Sequence, residues 1–181
     1  AFIGDRVHFQ KAMEGISNVS NVMISRVNNQ PVVLYAVPIK SGNEIIAVLV
    51  ARKDAKAFSD IISPLGYGEN GYAFILGNDG TVYAHPDETQ VLEQQNLLAA
   101  AESDGPLKAV GLAFKKLGMG NSGSVNYEYQ GQQRYMGVAP ISNTDWVLAV
   151  GALKTDILGW VTGLQTALLI GAAAFLGLGV V

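Results

Sequence analysis

The stretch Gly66 to Asp87, GYGENGYAFILGNDGTVYAHPD, decides how this chain folds. It opens with a literal G-x-G-x-x-G at Gly66, Gly68 and Gly71, the spacing of a dinucleotide-binding loop. That fingerprint works only where a strand precedes the glycines and a helix follows, because the helix N-terminus supplies the amides that hold the pyrophosphate. Here the order is reversed. Before the glycines, Phe58, Ile61, Ile62 and Leu65 recur at helical spacing, with Asp54 as N-cap and Pro64 as stop. After them, YAFIL is a strand that turns back through Asn78-Asp79-Gly80 into Thr81-Val82-Tyr83-Ala84, a hairpin with its usual turn residues. The glycines therefore join a helix to a hairpin.

The same grammar extends outward in both directions. Upstream, RVHFQKAMEG reads as a short helix, followed by three strand-like runs, VSNVMISRV, PVVLYAVPI and EIIAVLVAR, and by the helix Asp54 to Leu65. Downstream come two helices, Glu88 to Ala101 and Leu107 to Leu117, then the strands SGSVNYEYQ, QRYMGVAPI and DWVLAVGAL, with turns at Gly131 and Ser142-Asn143-Thr144. Strands joined by tight turns pair antiparallel, and grouped helices pack on a sheet face. The expectation is an α+β fold of two modules in series. Tyr127 and Tyr129 lie on one face of their strand and Tyr135 on the next strand; they are read as aromatic cross-strand pairing, with ligand stacking as the alternative.

Twelve Lys and Arg against fifteen Asp and Glu, without clustering, leave no electrostatic footprint for nucleic acid. There is no cysteine, which excludes disulfides and thiolate chemistry. Two histidines without a third ligand at metal spacing do not make a zinc site; His85 is read as structural, with Pro86 ending the strand and Asp87 capping the next helix. The run Gly120-Asn121-Ser122-Gly123 lacks nucleophile-elbow spacing. No catalytic constellation, metal or cofactor is predicted. After Asp156 the chain is uncharged to Val181, long enough to span a hydrocarbon core of roughly 30 Å, with Trp160 placed as an interfacial anchor. Gly159 and Gly163 add a weak dimerisation signal. Starting at Ala1 inside a helical pattern, the chain is expected to be a fragment.

GYAFIL-GNDG-TVYAHPD, the upstream VSNVMIS, QPVVLYAVPI and IIAVLVAR, and the closing YEYQGQQRYMGVAPISNTDWVLAV leading into an apolar helix resemble the double Cache sensor domain. Such domains form the extracytoplasmic part of bacterial methyl-accepting chemotaxis receptors, sensor kinases and some diguanylate cyclases. The resemblance implies two PAS-like Cache modules, each an antiparallel sheet with flanking helices. Residues 1–65 would be the end of the membrane-distal module, 66–153 the membrane-proximal module and 154–181 a transmembrane helix. It also implies a homodimer in the cell membrane with residues 1–153 outside the cytoplasm. The output would be a chemoreceptor's, or alternatively that of a diguanylate cyclase or histidine kinase; a third reading is a ligand-free ectodomain that contacts a protein.

Amino-acid-binding members carry Arg-x-Trp-aromatic, then Tyr-x-Asp, then a later Asp. Carried over, this implies ligand contacts at Arg6, His8 in the tryptophan place, Phe9, Met23 and Ser25 in the Tyr-x-Asp places, and Arg52 or its neighbour Lys53 in the place of the last acid. A pocket that keeps the guanidinium clamp and loses both acids should prefer a small carboxylate to an amino acid, with His8 adding a hydrogen bond or a pH-dependent charge. Arg6 paired with Asp5 or with a backbone carbonyl, and Arg52 in solvent, would be the structural alternative.

Overall fold

The computed structural model describes residues 3–142 and 144–178. A short helix α1 (Val7–Met13) leads into β1 (Asn18–Val19), β2 (Met23–Ile24), β3 (Pro31–Ser41), β4 (Glu44–Asp54) and α2 (Lys56–Ile62). The hairpin β5 (Tyr72–Gly77) and β6 (Val82–Ala84) follows, then α3 (Glu88–Leu92), α4 (Leu97–Ala100) and α5 (Lys108–Leu117). Strands β7 (Gly123–Tyr129), β8 (Gln132–Ile141) and β9 (Trp146–Leu153) run into the long helix α6 (Lys154–Leu178).

Two antiparallel sheets result. In the first, β3 pairs with β4 along one edge and with β1, then β2, along the other. The expected single strand over VSNVMISRV is thus interrupted, and the sequence shows why. Ser20 N–H donates to the Leu34 carbonyl, but the Ser20 hydroxyl takes the place of a backbone carbonyl and accepts from Leu34 N–H at 2.9 Å. The ladder is kept while the chain bulges, which frees Asn21 and buries Val22 in the core shared with the second sheet.

The second sheet has the order β6-β5-β9-β8-β7. Its β7–β8 hairpin turns on two residues, Gln130 and Gly131, both at positive φ, as the twist of paired strands requires. Helix α5 lays Val110 and Phe114 over this sheet, and the Phe114 ring meets Phe74 at 5.7 Å between centroids. Leu76, Val82, Met136 and Val147 fill the interior beneath. Trp146 holds the two sheets together: Phe58 of α2 and Tyr83 of β6 meet it edge-on at 5.2 and 5.8 Å, and its indole N–H reaches Asn21 Oδ1.

Three local expectations are corrected. Helix Glu88 to Ala101 is two helices, because Gln94 sits at φ +48 and Asn96 starts afresh as N-cap of α4, accepting from Ala99 N–H. The N-cap of α2 is Ala55; Asp54 serves one residue earlier, accepting from Lys56 N–H. Tyr135 pairs with Asn126 and faces away from Tyr127 and Tyr129, whose cross-strand partners are Arg134 and Gln132. Asp87 caps α3 as anticipated, and His85 Nδ1 accepts from Asp87 N–H. In the turn at Ser142-Asn143-Thr144, Asn143 lies outside the described residues, as does the side chain of Trp160.

Helix α6 is the one described helix long and apolar enough to cross a membrane, and its 25 residues extend about 37 Å. Leu168, Leu169, Ile170 and Phe175 stand bare on its surface, as lipid contact requires. Phe114→Ala is expected to lower unfolding free energy by about 3–5 kcal/mol. Leu112→Ala on the exposed side of α5 should change it by less than about 0.5 kcal/mol, both read by urea titration.

Candidate ligand site and its link to the membrane helix

The cation of Arg6 has to be held somewhere, and its position at the N-terminus of α1 aims it across the end of the first sheet. Its Nη1 lies 3.7 Å from Met23 Sδ on β2. One turn of the motif further, His8 is buried, with its carbonyl accepting from Asn18 Nδ2 and its Nε2 without a hydrogen-bond partner. Arg6, His8 and Met23 share the wall of a cavity of about 440 Å³ with Lys11, Ser20 and Asn21, a volume within the range of small-molecule sites. Ser25 and Arg52 meet each other beside it, Arg52 Nη1 donating to Ser25 Oγ at 3.4 Å. Neither these two nor Phe9 lines the cavity itself.

Two acids that the sequence pattern did not place are on this wall: Asp5 and Asp145. Asp5 pairs with Arg26 at 3.1 Å, and that hydrogen bond holds its carboxyl below the usual range. Among the described residues no Asp5–Arg6 ion pair is formed, the pairing that the structural alternative offered. Asp145 comes from the turn before β9, more than a hundred residues away, so no local motif could have revealed it. Burial, and then the Arg6 cation, pull the His8 pKa down, so the imidazole is neutral at pH 7 and contributes a hydrogen bond rather than a charge.

The glycine loop carries the second half of the arrangement. Asn70 N–H donates to Asp156 Oδ2 at 3.1 Å, and Tyr67 N–H donates to the Gly151 carbonyl at 3.2 Å. The loop thus grips the end of β9 and the first turn of α6. Backbone approaches this closely only where Cβ is missing: a Cβ on Gly68, at φ +77, would stand 2.5 Å from Asp156 Cβ, and one on Gly71 would stand 2.3 Å from Tyr67 N. The G-x-G-x-x-G is a clasp on a helix, and the residue that it holds is the last charge before the apolar span.

His8 and His85 are both held below their ordinary pKa, chiefly by burial. A base whose folded pKa is depressed takes up its proton first in the unfolded chain, so stability is complete above about pH 6.5 and falls as the pH drops through and below that value. Each histidine contributes at most about 1.4 kcal/mol per pH unit. His8→Gln is expected to flatten this acid limb in chemical denaturation between pH 7 and 5.

The matrix of relatives fits this architecture. A family model described as Cache domain matches residues 3–161. Methyl-accepting chemotaxis protein PctB of Pseudomonas aeruginosa is 26% identical over 144 residues, 78% of this chain and 21% of its own length. This chain therefore spans about a fifth of that relative. The ligand binding domain of PctB in complex with L-Arg superposes with a TM-score of 0.63 at 21% identity, covering 83% of this chain and 60% of that one. An extracellular domain described as that of a histidine kinase, mmHK1S-Z3, reaches 0.67 at 16% identity, covering 91% of this chain and 59% of that one. Antiparallel sheets with flanking helices, on the extracytoplasmic side of α6 as a candidate membrane span, fit this match. With the match running over nearly all of its described residues, the chain belongs to the Cache domain family.

Proposed function

We propose that this chain is the ligand-sensing part of a transmembrane chemoreceptor, built as two Cache modules in series. Residues up to 65 belong to the membrane-distal module and 66–153 form the membrane-proximal one, with α6 as the span. The observation that carries the reading is the convergence of Arg6, His8 and Met23 on one cavity, at positions where amino-acid-binding members of the family hold their ligand. A guanidinium grips a carboxylate through two parallel hydrogen bonds, so the ligand is a small carboxylate. Ser25 and Arg52, paired beside the cavity, supply a second cation for a dicarboxylate.

A second reading has its own support. Asp145 on the cavity wall offers an anion to an ammonium group, and the solved domain of PctB is described as that of an amino acid chemoreceptor. An amino acid would place its carboxylate at Arg6 and its ammonium at Asp145. In either case the ligand acts by differential affinity for two conformations. Asp145 adjoins Trp146, the first residue of β9, and β9 continues into α6. Pull on Asp145 therefore reaches the membrane helix through one strand, with displacements of about 1–2 Å. A second copy of the chain, paired along α6, would turn that shift into a changed helix relation. The output is a chemoreceptor's, with a histidine kinase as the alternative that the mmHK1S-Z3 likeness supports.

The test is thermal shift of the full chain in nanodiscs with organic acids and amino acids. A ligand at a hundred times its Kd is expected to add about 2.7 kcal/mol of stability, lost in Arg6→Ala. Stabilisation by dicarboxylates that survives Asp145→Asn supports the carboxylate reading; stabilisation by amino acids lost in Asp145→Asn transfers the site to the zwitterion. No stabilisation by any of them would leave a ligand-free ectodomain and reject both.

A further inference from the structure

We propose that the glycine loop, residues 66–71, is a membrane-surface contact that sets Tyr67 in the lipid headgroup layer beside the root of α6. The partner is the bilayer interface itself. Strand β9 runs into α6 without a break, so the end of the second sheet where β9 finishes is the end nearest the span. Antiparallel pairing then decides what else lies at that end. Tyr72, the first residue of β5, is set opposite Gly151, and Arg134, near the start of β8, opposite Leu153. The loop that leads into β5 and the turn between β7 and β8 therefore share the membrane-facing end.

Asp156 fixes how deep the loop sits. It is the last charged residue of the sequence, and the helical residues 157–178 that follow it measure about 33 Å, enough for a hydrocarbon core of about 30 Å. A carboxylate stays out of hydrocarbon, so Asp156 stands at the boundary, in a headgroup layer about 5–7 Å thick on each side. The loop is bonded at that level. Asn70 N–H donates to Asp156 Oδ2 at 3.1 Å, and Tyr67 N–H donates to the Gly151 carbonyl at 3.2 Å. Backbone held in this way shares the depth of the helix turn that it holds.

The side chains at this end suit that layer. Tyr67 is 61% exposed although it is a large aromatic, and with Ile157 of α6 it borders an open, mainly apolar groove of about 370 Å³ that Tyr135 and Val150 also line. Leu65, just before the loop, is exposed as well. A phenol ring offers an apolar body to the acyl boundary and a hydroxyl to headgroups and water, which is why tyrosines gather at membrane interfaces. In the turn between β7 and β8, Gln130 is half-buried, and Gly131 and Gln132 are exposed; all three are uncharged. The charges of this end nearly cancel, Glu69, Glu128 and Asp156 against Arg134 and Lys154, so the contact rests on partition of the ring and not on attraction to anionic lipid. Lipid that holds Tyr67 thereby bears on the clasp around Asp156. Nothing in this depends on the cavity at Arg6.

The sequence has no cysteine, so a single Cys substitution carries one nitroxide label without further change. In the full chain in phosphatidylcholine nanodiscs, power saturation compares collisions of the label with oxygen, which enters lipid, and with a water-soluble nickel chelate. Val27→Cys, at an exposed position before β3, is the aqueous reference, and Leu168→Cys the lipid reference on α6. The oxygen-to-nickel ratio of Tyr67→Cys is expected to lie between the two, at least threefold above Val27→Cys. In the chain with Tyr67 intact, nuclear Overhauser effects should join the Tyr67 amide to lipid headgroup protons; Tyr67→Ser should weaken them at least threefold and Tyr67→Trp keep them. Replacing a third of the lipid by phosphatidylglycerol should leave both readings unchanged. A Tyr67→Cys label that reads as Val27→Cys, Overhauser effects absent from the unsubstituted chain or indifferent to Tyr67→Ser, or contact that appears only with anionic lipid would each overturn the proposal. A Leu168→Cys label that reads as water would reject the span itself, and the proposal with it; the unsubstituted chain decides even where a variant fails to fold.

Discussion

Strand β9 is the constraint on which everything else turns. It is hydrogen-bonded on both sides, to β5 and to β8, and continues without a break from Leu153 into Lys154 of α6. A strand with two ladders cannot slide alone, because shifting its register by one residue would turn its buried face to solvent. Motion at its start is therefore motion of the sheet, and the sheet ends in the membrane helix. Its first residue, Trp146, is also where the two sheets meet, through Phe58, Tyr83 and Asn21. One residue before that, Asp145 lines the cavity of the first sheet.

The glycine loop makes a second, shorter connection between the same parts. It begins just after α2, whose Phe58 packs on Trp146, and ends on Gly151 and Asp156. Strand and loop thus reach the first turn of α6 from two directions. Physical contiguity of this kind makes coupling possible without measuring it, and what gives it weight is an element with two arrangements that both ends can bias. The clasp qualifies in form: two backbone hydrogen bonds hold it, one of them to a carboxylate at the edge of a solvent-exposed loop, and such contacts lie at the low-stability end of a fold.

Much of the fold was legible from local patterns. The helix-glycine-hairpin order around Gly66 to Asp87 excluded a nucleotide loop because the physics of that loop requires the opposite order. Alternation and turn residues located every strand of the second sheet. What was not legible depended on tertiary placement. The break at Gln94 has no Gly or Pro to announce it; Asn96 starts a new helix because its side chain also closes on Asp79 and Thr81. The aromatic pairing of Tyr135 with Tyr127 and Tyr129 fails because the register sets Tyr135 opposite Asn126. Family spacing singled out Arg6, His8 and Met23, which line one cavity, but Asp145 joins that wall only because the sheets pack around Trp146. The purpose of Gly68 was invisible without Asp156, which is 88 positions downstream.

The central claim is that occupancy of the extracytoplasmic part is read at the root of α6, where the glycine loop holds it. Amide hydrogen exchange at Asn70 tests this most directly, because its N–H donates to Asp156 Oδ2. In the unliganded chain in nanodiscs the Asn70 amide should be protected, and Asp156→Ala should bring it to the exchange rate of an open loop. A ligand that stabilises the domain should change the protection of Asn70 together with that of Tyr67. An Asn70 amide that exchanges freely in the native chain, or one indifferent to a bound ligand, would contradict the account.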